Sequence, residues 1–293
     1  MEGLTLSVEP LASDSLGVRS LATYIDAGEL GVLIDPATAL APERYGLPPH
    51  PLEEEARRRL WRGIKERAEE AEVLIVTHYH YDHIDPEELN IYAEKTVLIK
   101  HPGRMINASQ RRRAAFILPR LRELALELLY ADGKRFEFGD LEIRFSRPVP
   151  HGPDARRGYV LEVSIRGDEV FLHTSDVQGP LLEEQLDFIL DERPSLLFVD
   201  GPTTYIDHPG LDVELEWARR NLLRLLEEVE PRRVILDHHL TRDLGYRGRL
   251  PQVYERGEEL GIRVESAAEY LGLEPRLLEA RRRELYGGHP EAA

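Results

Sequence analysis

Three histidines and an aspartate fall within the six residues His78-Tyr79-His80-Tyr81-Asp82-His83. Neutral imidazole nitrogens and carboxylate oxygens are the donors that hold zinc and related divalent ions. An apolar run, Val73-Leu74-Ile75-Val76, precedes the cluster and reads as a buried strand that delivers it. Residues two apart on an extended segment share a face, so His78 and His80 point the same way. Asp82 and His83 come after the strand ends, where the chain can turn back. The cluster can therefore supply donors to two ions. A histidine cluster in a surface loop would have the same composition, but the buried-looking strand in front argues against it.

Composition narrows the chemistry further. With no cysteine among 293 residues, disulfides, thiolate metal sites and a cysteine nucleophile are all excluded. Any metal must be held by His, Asp and Glu, which favours zinc, with manganese or iron as alternatives. The net charge of −16 repels a polyanion unless a concentrated basic patch offsets it, so a nucleic-acid partner ranks below a small molecule. Apolar content of 42% and charged content of 31% describe a soluble globular chain. No apolar run approaches the ~20 residues a membrane span needs. Met1-Glu2-Gly3-Leu4-Thr5 lacks the basic and apolar regions of a signal peptide, so a cytoplasmic location is expected. Many Arg and Glu residues fit a thermophile, and fit a GC-rich genome equally well.

The elements around the cluster can be placed by periodicity. Strands are expected at Leu21–Ile25, at Gly31–Asp35 and at Thr96–Lys100, and a loop over 37–51. Leu60, Ile64 and Ala68 recur at helical spacing, which predicts a helix over 52–71. Asp85-Pro86-Glu87-Glu88 reads as a helix start, and 104–129 as mainly helical with a break or kink at Pro119. Lys134–Pro148, Tyr159–Arg166 and Glu169–Thr174 read as strands. Then helix and strand alternate: helix Leu181–Asp191, strand Ser195–Val199, helix 212–229, strand Arg233–Leu236, helix 251–260 and strand Arg263–Ser266. Ala267–Leu271 and 274–286 read as helical, and Gly287–Ala293 as a frayed tail. Two strand-and-helix halves meeting near residue 131 imply a single domain over 1–293, with two sheets packed together and helices outside.

The stretch His78 to His83 resembles the His-x-His-x-Asp-His signature of the metallo-β-lactamase-fold superfamily. Further positions follow the same order along the chain. Asp35 ends the strand of Val32-Leu33-Ile34-Asp35-Pro36, His151 lies in Pro148-Val149-Pro150-His151-Gly152, Asp176 ends Phe171–Asp176, and His238 follows Val234-Ile235-Leu236-Asp237. The resemblance spans about residues 20 to 245. It implies an α/β fold, a four-layer αββα sandwich of two mixed β-sheets flanked by helices. It also implies two divalent ions. His78, His80 and His151 would hold one, Asp82, His83 and His238 the other, and Asp176 would bridge them. His238 and His239 are adjacent, and only one need be a ligand; His238 sits at the expected position, leaving His239 behind it or on the opposite face. Asp35 would orient a ligating histidine. A bridging hydroxide would be the nucleophile, with Asp82 helping to position it or accept its proton. The opening Ala12–Thr23, together with Arg44-Tyr45-Gly46-Leu47-Pro48-Pro49-His50, further resembles an archaeal family within the superfamily.

Other residues are weighed against that frame. Arg156 or Arg157, just after His151, could clamp a carboxylate or phosphate, or form a solvated hairpin tip. Alternation puts His173 on the face opposite Asp176, a structural position. His101 reads as a turn residue, His50 as a loop residue and His208 as a loop residue that could reach a site mouth. Tyr79 and Tyr81 alternate away from the donors and are expected to pack. Arg111-Arg112-Arg113 is expected to be a solvated helix face. The leading expectation is a dinuclear metal-dependent hydrolase of a small, anionic substrate: a phosphodiester, lactone, ester, thioester or amide. One alternative is a nuclease-type phosphodiesterase acting on RNA or DNA. The stretch from Asp176 to His238 is too short, however, for the domain inserted in the RNA- and DNA-processing branch. The other is a metal-binding protein without catalysis, or a redox relative with a di-iron site.

Overall fold

Nearly continuous apolar runs become strands buried on both faces, and these form two sheets lying face to face. The computed structural model describes residues 4–287. The first sheet comprises β1 (Ser7–Pro10), β2 (Thr23–Asp26), β3 (Gly31–Ile34), β4 (Val73–Val76), β5 (Thr96–Ile99) and β6 (Glu127–Tyr130), paired in that order. β1, β2 and β3 pair antiparallel, and β3 to β6 pair parallel. The second sheet contains β7 (Arg135–Phe138), β8 (Leu141–Phe145), β11 (Val163–Arg166), β12 (Val170–His173), β13 (Leu196–Asp200), β14 (Arg233–Asp237) and β15 (Arg263–Glu265). Its order is β15-β14-β13-β12-β11-β8-β7, with β12 to β15 parallel and the rest antiparallel. A separate ribbon joins β9 (Val149–Pro150) to β10 (Tyr159–Val160).

Alternation within each strand sorts side chains between layers. Val32, Ile34 and Ile75 turn inward to meet Ile143, Ile165, Phe171 and Phe198 of the second sheet. Leu33, Leu74 and Val76 turn outward onto Ala56, Leu60 and Ile64 of α1 (Pro51–Glu70) and Ile117 and Leu121 of α2 (Ala108–Leu124). On the far side, Leu172, Leu197, Val199 and Leu236 pack against α3 (Glu183–Glu192) and α4 (Leu211–Val229) through Leu186, Leu222 and Leu225. The result is the expected helix–sheet–sheet–helix sandwich. No helix among the described residues is long and apolar enough to cross a membrane.

Several expectations fail locally. No helix begins at Asp85; its carboxylate accepts from Glu87 N and closes a turn, and only a short 3-10 turn follows at Leu89–Tyr92. α2 runs through Pro119 without ending there, and its last residue is Leu124, so 127–130 are free to pair as edge strand β6. Residues 274–286 are mostly irregular. Leu277 adopts φ +43°, a left-handed conformation that stops a helix, and only Arg282–Leu285 is helical. The expected tail lies outside the described residues apart from Gly287, as does the N-terminal Met1–Gly3.

Candidate metal centre

The parallel strands of both sheets end at one edge, and the chemistry-bearing residues lie there. Past the end of β4 come His78, His80, Asp82 and His83; past β12 comes Asp176; past β14 comes His238; past β9 comes His151. Three residues at these strand ends are left-handed: Asp35 (φ 47°), Ser175 (φ 55°) and His238 (φ 62°). Such a conformation costs a side-chain-bearing residue roughly 1–3 kcal/mol, so the surroundings must enforce it. Asp237 does so beside His238. Its carboxylate accepts from Ser15 N, His238 N, Ala267 N and Thr241 Oγ1 at 2.7–3.1 Å, tying three chain segments to the turn.

The seven residues proposed from the sequence converge in two sets that share Asp176. One set is His78, His80, His151 and Asp176; the other is Asp82, His83, Asp176 and His238. Within each, the donor atoms lie within 4.8 Å of one another. Asp176 divides its carboxylate between them. Oδ2 lies 3.1 Å from His151 Nε2 and 3.6 Å from His78 Nε2. Oδ1 lies 3.0 Å from His83 Nε2 and 3.4 Å from His238 Nε2. Asp82 stands 3.9 Å from both His83 Nε2 and His238 Nε2 through its two oxygens. His239 is outside both sets; with Asp200 and His238 it forms a third, overlapping group.

Buried carboxylates fix the rings from behind. Asp35 Oδ2 is 2.8 Å from His83 Nδ1, and Asp35 also accepts from Thr77 N and Thr77 Oγ1. Asp14 Oδ2 is 2.8 Å from His238 Nδ1, and Arg242 Nε donates to Asp14 Oδ1. Asp200 Oδ1 is 2.9 Å from His239 Nδ1. In each pair the carboxylate holds Nδ1 and so turns Nε2 the other way; His238 Nε2 then lies 3.0 Å from Arg242 Nη2 and His239 Nε2 3.4 Å from Gln178 Nε2. Sequence reasoning found Asp35 but missed Asp14, Asp200 and Arg242. Asp200 ends a strand as Asp35 does, so the same signal was there to be used. Asp14 and Arg242 carry no local signal; more than two hundred residues of chain separate them.

An open chamber of about 470 Å³ lies over the donors, walled in part by Arg19, Arg113, Arg157, Arg242, Tyr81 and Tyr205. Two expectations are corrected here. Tyr81 does not pack inward but is 43% exposed at the mouth, with the Arg113 guanidinium 4.5 Å over its ring. Arg113 accordingly leaves the solvated face expected of Arg111–Arg113. The two arginines after His151 also separate: Arg156 is bonded to Asp154, whereas Arg157 lines the chamber. His173, as expected, is structural, with Nε2 3.0 Å from Leu21 O. Tyr79 is buried on Lys100 O, His101 accepts from Gly103 N in its turn, and His50 accepts from Leu52 N at the start of α1.

A family model described as the β-lactamase superfamily domain matches residues 31–239. A UPF0282 protein from Korarchaeum cryptofilum is 46% identical over 288 residues, covering 97% of this chain and 96% of that relative. The chain belongs to the UPF0282 family of the β-lactamase superfamily. Among solved structures, a possible metal-dependent hydrolase from Veillonella parvula superposes with a TM-score of 0.55 at 12% identity, over 90% of this chain and 96% of the other. CmlA, a diiron β-hydroxylase from Streptomyces venezuelae, does so with 0.51 at 14% identity, over 90% of this chain and 52% of the other. At such identities the likeness is one of fold, and the superfamily fold does not by itself choose the chemistry.

The donor set itself calls for cations. His78 Nε2 and His151 Nδ1 are buried without a hydrogen-bonding partner among the described residues, and His83 Nε2 and Asp176 Oδ1, though 3.0 Å apart, do not meet in hydrogen-bonding geometry. A buried polar atom left unsatisfied costs about 1–3 kcal/mol, which a bound ion would offset at His78, His83 and Asp176. The electrostatics agree. Burial and neighbouring histidines hold His78 well below the usual range, and burial with His151 takes His80 down to about 3, so both rings are neutral donors. His83 is raised well above its ordinary value: burial opposes the charge, and Asp176 and Asp35 outweigh it. His238 is pushed up to about 10 against burial and Arg242, because Asp176 and Asp14 face it. Protons on His83 and His238 thus occupy positions that a divalent cation would take, and binding would release them. Asp14→Asn and Asp35→Asn should each weaken metal binding by about 10–100-fold, read by competition with a chelator. Unchanged affinity in both would mean that the rings are oriented by something else.

Proposed function

We propose that the chain is a dinuclear metal-dependent hydrolase acting on a small anionic substrate, with zinc as the preferred ion. The observation that carries this reading is the division of Asp176 between two histidine sets. Two ions held there would supply a hydroxide nucleophile near neutral pH and polarise the bond under attack. The protein's own contribution is positional. His78, His80 and His151 face one oxygen of Asp176, while His83 and His238 face the other. Asp82, held down to about 2 by His83 and His238 against burial, stays ionised at the chamber floor and is placed to orient or take a proton. The arginines of the chamber wall attract an anion locally, in a chain whose overall net charge is −16.

Elemental analysis of the purified chain should give roughly two ions per molecule, and chelation should abolish turnover. A panel of chromogenic phosphodiesters, lactones, esters and thioesters should include at least one substrate turned over with metal present. Fewer than about one bound ion per chain would sink the dinuclear reading. Metal binding with no turnover across the panel would favour a binding protein instead.

A further inference from the structure

Thr203 Oγ1 is buried and has no hydrogen-bonding partner among the described residues, yet Thr203 lines a second chamber beside the metal centre. This outer chamber has a volume of about 520 Å³ and shares His151, Arg157 and Gln178 with the metal chamber. A substrate reaching the candidate donors therefore has room for a second half next door.

The two chambers differ in chemistry. Arginines line the metal chamber from four separate segments, at Arg19, Arg113, Arg157 and Arg242. Arg19 and Arg242 are held by the carboxylates of Glu279 and Asp14. Arg113 lies on Tyr81 and donates to Tyr79 O. Arg157 makes no side-chain hydrogen bond within the described residues and stands where the chambers meet. A guanidinium fork with free donors beside a cationic centre suits a phosphate group. The outer chamber instead presents Thr203, His208 and Glu214, with His208 Nε2 3.6 Å from Glu214 Oε2. An imidazole beside a carboxylate, with a threonine on the same lining, suits the hydroxyl groups of a ligand. Asp154 is paired with Arg156 on the chamber's rim, and Glu214, which faces only His208 among the described residues, disfavours a second phosphate beside it.

We propose that the substrate is a small phosphate ester of a hydroxyl-rich alcohol, of nucleoside or sugar type. Its phosphate meets Arg157 at the junction, and its alcohol half fills the outer chamber against Thr203 and His208. This rests on the hydrolase reading and names its substrate class. Hydrolysis adds the oxygen of water to phosphorus and breaks one P–O ester bond. One proton of the water leaves on the alcohol, and the other stays with the phosphate product.

The test is calorimetric binding to the full-length, zinc-loaded protein, with thymidine 5′-monophosphate, inorganic phosphate and deca-thymidylate as probes. The monophosphate should bind at least about tenfold more tightly than inorganic phosphate. Arg157→Ala should weaken the monophosphate by about tenfold or more. Thr203→Val should weaken the monophosphate severalfold while changing inorganic phosphate less than about twofold. Equal binding of the two small probes, or indifference to Arg157→Ala, overturns the proposal. So does deca-thymidylate binding more than about tenfold tighter than the monomer, which would make a polynucleotide the ligand. Metal content and turnover of a carboxylic p-nitrophenyl ester are measured alongside. Full metal and ester turnover without phosphate binding sink the substrate class alone, whereas failure to take up metal sinks the hydrolase reading and this proposal with it.

Discussion

Asp176→Asn is expected to leave the fold intact, to lower bound metal from roughly two ions per chain to below one, and to cost at least about a thousandfold in turnover. The amide keeps the size of the side chain and one oxygen, but loses the charge and the second anionic oxygen. That second oxygen matters because the two face different histidine sets, His78 and His151 on one side and His83 and His238 on the other. Asp176 is held well below the ordinary carboxylate range: burial opposes its charge, and His83 and His238 more than compensate. It is therefore an anion at every pH where the fold is of interest, and no protonation state of the native chain mimics the variant. Elemental analysis and the substrate panel read the outcome, with circular dichroism checking the fold. A variant that keeps two ions and near-native turnover would show that the carboxylate is not shared between metals.

Much of this site could be read in the sequence because its signals are local. His78 to His83 lie on one strand end, and Asp35 and His238 each closely follow a run of aliphatic residues; Asp176, preceded by His173-Thr174-Ser175, and His151 were picked out by the resemblance to the superfamily's order of residues. The order of those runs also indicated two sheets, since β12 to β15 alternate with helices as parallel strands require; in the first sheet the edge strand β6 was read as helix, and β4 reaches β5 through a 3-10 turn instead of the expected helix. The choice between His238 and His239 needed coordinates, because adjacent residues differ only in which way the turn throws them. The left-handed backbone at His238 directs it to Asp82 and His83, while His239 turns to Asp200. What was illegible depends on long-range meeting of segments. Asp14 against Arg242, and Glu279 against Arg19, pair residues more than two hundred apart, and neither partner has a periodicity to betray it. The same holds for Arg113 and Tyr81, which were judged by their own helix and strand and turned out to meet at the chamber mouth.

The irregular C-terminal segment carries the second large expected effect. Arg282→Ala should destabilise the protein by about 3–5 kcal/mol, lowering the melting temperature by on the order of 10 °C. Arg282 is fully buried. Its guanidinium donates to both oxygens of Glu53 at 2.7 Å, to Ala41 O and to Leu47 O. Removing it strands a buried carboxylate and two carbonyls at once, which costs far more than the pair contributes over an apolar substitute. Glu53 also accepts from His50 N and so caps α1. The loop between residues 37 and 51 is thereby fixed at its far end by a residue from the end of the chain. That loop supplies Ala39, Leu40 and Pro42 to the metal chamber, so its loosening should raise KM for the panel substrates more than it lowers kcat. The double variant Glu53→Leu with Arg282→Met separates the causes, because it removes both charges and leaves no buried ion alone. It should recover most of the stability lost in the single variant. If Arg282→Ala itself melts within about 2 °C of the native protein, the buried pair is not what holds the loop, and the neighbouring Arg19–Glu279 contact becomes the tie to test.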